Sequence, residues 1–154
     1  MKKIIGFFAV LLGLAMPSSA THLLGGEITW TCLTSGSDAG KFVFELRLYR
    51  QCGGAGLGGT ATMNSSIGTI SLTRTSQLDV SPKCEFANQG PNCSDPNRDE
   101  NAIEEHIYES QPMSITGTPP TGGWNFTGQV VAGLQGVQVV RLWTIFHQTV
   151  RVID

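Results

Sequence analysis

The chain has 154 residues, a formal net charge of −2, 19 glycines and only 14% charged side chains. That balance does not suggest nucleic-acid binding, which prefers a basic face, and the length fits one domain with a real core. The run from Ser110 to Val140 carries no charge at all, and Gly, Ser, Thr and Pro punctuate short apolar runs. That pattern favours an extracellular all-β domain over a helical one.

The chain opens with Lys2 and Lys3, an apolar run Ile4–Met16, and Pro17-Ser18-Ser19-Ala20. This is the three-part pattern of a secretory signal peptide, residues 1–20, and the apolar run is too short to span a bilayer. Cleavage after Ala20 leaves a mature chain of net charge −4, since Lys2 and Lys3 are lost from the net of −2. Export to the periplasm, outer surface or medium follows, with no stable membrane insertion of the mature chain. Four cysteines in an exported chain point to disulfides rather than a metal site, and no Cys-x-x-Cys spacing is present.

Thr21–Gly26 is a short lead-in. Glu27–Leu33 then alternates, with Ile28, Trp30 and Cys32 on one face and Glu27, Thr29 and Thr31 on the other. Thr34–Gly40 has turn chemistry. Lys41–Cys52 alternates again, with Phe42, Phe44, Leu46 and Leu48 on one parity and Cys52 sharing it. Period-2 alternation marks strands with one buried face. An antiparallel hairpin is expected, with Trp30 and Cys32 facing the core beside the phenylalanines.

Gly53–Asn64 reads as a flexible connection. Ile67–Thr73 is a strand carrying Ile70 and Leu72 inward, and Gln77–Val80 starts another. Ser81–Asn101 is a long polar loop with two cysteines, and loops of that length are usually functional or tied down. Cys84 and Cys93 are placed to close it locally. Cys32 and Cys52 lie at opposite ends of the hairpin, roughly 30 Å apart and beyond disulfide reach, so Cys52 needs another partner. Ile103–Glu109 is a short strand or a single helical turn, and Met113–Thr116 a further short strand. Pro119–Gly123 is a turn, and Trp124 and Phe126 open a last strand.

The stretches THLLGGEITWTC, YRQC, IEEHIYES and PPTGGWNF together resemble the amino-terminal region of large secreted surface proteins of the Bacteroidota. Those proteins often end in a gliding-motility-associated carboxy-terminal sorting domain. The resemblance spans about Thr21–Thr127. It implies a disulfide-bonded, β-rich module in an adhesive or surface assembly, and it does not imply a known enzyme activity. Its partners would be other domains of a surface protein, or extracellular matrix and glycan.

After Thr127 the resemblance stops. Such proteins continue to a Trp and a Cys-Cys-Arg motif, where this chain has Gly128–Gly133. Codons for those six residues, read one nucleotide earlier, can spell Trp-Ser-Ser-Cys-Cys-Arg. Residues 128–154 are therefore set apart as a tail, frameshifted or a genuine diverged terminus. The overall expectation is an immunoglobulin-like β-sandwich over 21–127, incomplete if the tail is aberrant.

Few constellations point to chemistry, and no cofactor is implied. Asp95, Asn97 and Asp99 resemble the start of a calcium loop, with oxygens at alternate positions. The pattern fails at Glu100, where the turn needs glycine, and at His106, where it needs a bidentate carboxylate. An ordinary solvated loop fits better. His22, His106 and His147 share no ligand spacing. Glu104, Glu105 and Glu109 could supply a carboxylate pair for glycoside hydrolysis, but neighbours on a strand point to opposite faces. Trp30, Trp124, Phe126 and Tyr49 could line a sugar platform, although the parity of Trp30 places it in the core. The alternative to a non-catalytic module is a glycan-binding or glycan-hydrolysing domain using the Ser81–Asn101 loop.

Overall fold

The computed structural model describes residues 23–54, 56–83, 90–132, 136–138 and 144–146. The signal-peptide segment, His22, Cys84 and His147 lie outside the described residues. The fold is all-β. Its strands are β1 (Leu23–Cys32), β2 (Phe42–Gln51), β3 (Leu57–Ser65), β4 (Gly68–Asp79), β5 (Ile103–Ser110), β6 (Trp124–Ala132), β7 (Gly136–Gln138) and β8 (Thr144–Phe146). None of the described residues forms a helix long and apolar enough to cross a membrane.

The expected hairpin is present. β1 and β2 pair antiparallel from Cys32↔Phe42 to Leu23↔Arg50, with a bulge between Leu23 and Gly25. Gly36 and Gly40 adopt φ of 78° and 83° in the connecting turn, a region that costs other residues energy. Leu33 and Lys41 close the turn by a 2.9 Å hydrogen bond from Leu33 N to Lys41 O. Phe42, Phe44, Leu46 and Leu48 are all buried, and residues of the other parity are half-buried.

A single sheet runs in the order β1-β2-β5-β4-β3-β6-β7, with β8 also paired to β6. The two layers expected of a sandwich are therefore the two halves of one curled sheet. The curl brings β6 over β1 and β2 without hydrogen bonds between them. Phe44 and Phe126 meet at 4.7 Å between ring centroids. A Cβ on Gly128 would stand 3.1 Å from Leu46 Cδ1 and 3.7 Å from Ile28 Cδ1. Twisted sheets curl in this way, and here a glycine permits the close approach.

Several expectations are corrected. Gly53–Asn64 is not a loose connection, because β3 occupies most of it. β3 lies between β4 and β6, and Ala61 and Met63 are buried. A register shift between Leu57 and Ala61 interrupts its alternation, which hides the strand from a period-2 reading. Gln77–Val80 does not start a new strand. β4 runs straight into it through a shift between Arg74 and Ser76. Ile103–Glu109 is a strand, not a helical turn, and sits centrally between β2 and β4. Met113 forms only an isolated bridge to Phe42.

Trp30 and Cys32 are exposed rather than inward-packed. Trp30 is 42% exposed and touches Phe42 edge-on at 5.8 Å. β1 is an edge strand, and the opposing half-sheet covers it at Ile28 but not at its turn end. The boundary set at residue 128 also falls inside an element. β6 crosses it without a break, and Val130 is 2% exposed in the core.

Candidate functional site

The inner face of β2, β5 and β4 changes character along its length. Phe44, Leu46 and Leu48 are followed on the same parity by Arg50. Arg50 pairs across the ladder with Glu104, and Leu48 with His106. On the other flank of β5, Gln77 stands opposite His106, and Arg74 opposite Tyr108. One end of the interior enclosed by the curled sheet is thus polar.

Within it, Arg50 Nη2 is ion-paired with Glu104 Oε1, both side chains being less than a tenth exposed. Arg50 Nη1 donates to the carbonyls of Gln51, Cys52 and Gly54 at 3.0, 3.4 and 2.9 Å. His106 Nε2 lies 3.0 Å from Glu104 Oε1, and Gln77 Nε2 donates to Glu104 Oε2 at 2.8 Å. Arg74 Nη1 lies 3.3 Å from His106 Nδ1 and donates to Leu57 O at 3.2 Å. A guanidinium can only donate, so His106 Nδ1 accepts and Nε2 carries the proton that faces Glu104. Tyr108 completes the group, its hydroxyl donating to Gly58 O at 2.8 Å.

Burial alone would push the Glu104 carboxyl up. The contacts from His106 and Gln77 and the charge of Arg50 outweigh it and hold Glu104 below the ordinary carboxylate range. Burial pushes His106 down, against the pull of Glu104. The group therefore rests as carboxylate, neutral imidazole and guanidinium near neutral pH.

The disulfide stands directly above this group. It joins Cys52, just past β2, to Cys93 in the long loop, with Cα atoms 5.1 Å apart. The expected local Cys84–Cys93 closure is therefore corrected. The expectation that Cys52 needs a partner outside the hairpin is met by Cys93, because Cys52 N is tied to Ala102 O at 3.0 Å at the mouth of the same loop. Cys32 is a free, exposed thiol. Iodoacetamide should label the Cys32 peptide in the unreduced protein and spare Cys52 and Cys93 until a reductant is added. Peptide mapping by mass spectrometry reads this directly.

Asp79 anchors the loop from the other side. Its Oδ1 accepts from Ser81 N at 2.9 Å and its Oδ2 from Cys93 N at 3.1 Å. Hydrogen bonding from Ser81 is the largest cause that lowers Asp79 to about 2, with further help from Cys93 and Lys83. A carboxyl depressed on folding stabilises the protein above its ordinary value, and that stability is lost as pH falls through the folded value. Loop anchorage should weaken between the ordinary Asp range and pH of about 2. Asp79→Asn should cost about 1–3 kcal/mol at neutral pH and flatten that acid limb in denaturant titrations.

The calcium-like residues are spent locally. Asp95 Oδ1 accepts from Asn97 N at 3.0 Å, and Asp95 Oδ2 accepts from Arg98 Nε at 2.7 Å. Asp99 lies against Gly53 and accepts from Ala102 N through its backbone carbonyl at 3.1 Å. Among the described residues, the only group of three metal-donor side chains of Cys, His, Asp or Glu type is Cys52, Cys93 and Glu104. The loop surface also holds an open concavity of about 230 Å³ lined by Gly90, Pro91, Asn97, Arg98, Glu100 and Asn101.

No family model, curated protein or solved structure matches this chain.

The remaining candidates are distributed by strand parity. Glu104 is inside and Glu105 outside, as alternation requires. On the outer face Arg47 meets Glu45 at 2.8 Å, Glu105 at 3.4 Å and Glu27 at 3.7 Å. Tyr49 donates to Glu105 at 3.0 Å. Trp124 and Phe126 are buried in the core and line no platform. Sequence reading passed over Arg50, Arg74, Gln77 and Asp79. The signal for Arg50 was available, since it shares the parity of four buried apolar residues.

Proposed function

We propose that the chain is a non-catalytic structural or adhesive module of an exported bacterial surface protein. The observation that carries this reading is where the reactive side chains are spent. Arg50, Glu104 and His106 lie inside the curled sheet, with Arg50 and His106 both engaging Glu104. The outer face carries paired charges of the kind that keep a sheet surface solvated. A disulfide that ties a long loop to the sheet fits an oxidising compartment. The resemblance of Thr21–Thr127 to Bacteroidota surface proteins agrees with this role, with neighbouring domains of the same surface assembly, matrix or glycan as partners.

The polar concavity of about 230 Å³ in the loop favours one second reading, a glycan-binding domain. A glycan array and a glycosidase screen on the oxidised protein separate the readings. Absence of turnover on every glycoside is the expected result, and saturable binding abolished by Arg98→Ala would select the second reading. Turnover that is lost in Glu104→Gln would end the first.

A further inference from the structure

We infer that the dithiol form of this protein holds a thiophilic divalent cation such as zinc through Cys52, Cys93 and Glu104. The two sulfurs and a Glu104 carboxylate oxygen lie within 4.8 Å of one another. In the oxidised form the two sulfurs are bonded to each other, so reduction must let them spread before they and Glu104 can share one ion. Zinc with two thiolates places the sulfurs about 3.7 Å apart in tetrahedral geometry. The Cys93 side chain can supply that movement by rotation about its Cα–Cβ bond while its backbone N–H stays on Asp79, and Glu104 is fixed on the central strand β5.

The surroundings are prepared for a ligand carboxylate. Gln77 donates to Glu104 Oε2, while Arg50 and His106 lie close to Oε1 without an aligned hydrogen bond, which leaves Oε1 acceptor capacity for an ion. His106 presents Nε2–H to Glu104 and so acts as a positioning residue, not a ligand. Metal-bound groups are commonly held by such outer partners. Charge also balances. Two thiolates, Glu104, Arg50 and a divalent ion sum to zero, as Glu104 and Arg50 do in the oxidised form. Without the ion, the two sulfurs remain neutral thiols beside Glu104, and the ion is what displaces their protons. Thiolates select zinc over calcium or magnesium.

The chemistry is a two-electron exchange. A dithiol or phosphine reductant gives two electrons to the disulfide and is itself oxidised. Two protons convert the separated sulfurs to thiols, and ion binding then releases both protons to solvent. A water molecule takes the fourth position. Cys52 and Cys93 are both half-buried, so reductant and ion approach from the loop side.

The test is a cobalt(II) titration of the phosphine-reduced protein, followed by the thiolate-to-cobalt charge-transfer absorption. One equivalent should bind, and zinc should displace it and bleach the band. The oxidised protein should give no band. Cys32→Ser/Cys84→Ser should keep the band, while Cys52→Ser or Cys93→Ser should lose at least about 10-fold in affinity. His106→Ala should weaken binding about 10–100-fold, and His106→Gln, which retains a donor, should recover most of it. Near-ultraviolet circular dichroism follows the fold throughout. If reduction unfolds the protein, recovery of that signal on adding zinc supports the site. A reduced protein that binds no cobalt, folded or unfolded, overturns it. So does a band in the oxidised protein, or one lost in Cys32→Ser/Cys84→Ser.

Discussion

Glu104→Gln should lower the free energy of unfolding by about 3–5 kcal/mol, the usual consequence of removing one member of a buried ion pair. The carboxylate is ion-paired with the buried Arg50, and it also receives Gln77 and stands beside His106. Its loss removes the carboxylate that Arg50 meets most closely in the buried interior. Glutamine fills the same volume, so the effect isolates charge from packing. Urea titration at neutral pH measures it. Pairing the change with Arg50→Met should cost less than the two single changes added together, with a coupling of about 1–3 kcal/mol. Strict additivity would show that Arg50 and Glu104 do not depend on each other.

Phe44→Ala should cost about 3–5 kcal/mol, as large-to-small changes at aromatic core positions do. Phe44 is fully buried and packs on Phe126, whose strand is not hydrogen-bonded to β2. Side-chain contact is therefore what holds the two half-sheets together at this point. Besides the global loss, amide exchange in β6 should accelerate more than in β2, which remains paired to β1 and β5. Leu24→Ala provides the contrast. Leu24 is 57% exposed on the edge strand, and its removal should change stability by less than about 0.5 kcal/mol. An equal loss at both positions would contradict the core described here.

Both predictions rest on residues whose role differs in how far it could be read from the chain. Phe44 was legible, because four large apolar residues at every second position specify a half-buried strand in any context. Glu104 was legible only as a residue whose face opposes that of Glu105. Which of the two points inward depends on how β5 registers between β2 and β4, and that is a property of the assembled sheet. The same reasoning covers β3. Its glycines and broken alternation carry little local preference, and it becomes a strand because β4 and β6 satisfy its backbone on both sides.

By itself the sequence determined the β class, the β1–β2 hairpin with its buried phenylalanine–leucine face, the turn before Trp124, and the need of Cys52 for a partner beyond the hairpin. These follow from local stereochemistry and period-2 patterning, which act over a few residues. Only the tertiary structure decided that Cys93 is that partner, that Trp30 stands at an open edge, and that one curled sheet encloses the core. It also decided that Arg50, Glu104 and His106 converge beneath the disulfide. Those outcomes join residues 41 and 54 positions apart, and such meetings are set by register and curl, which no single stretch of chain encodes.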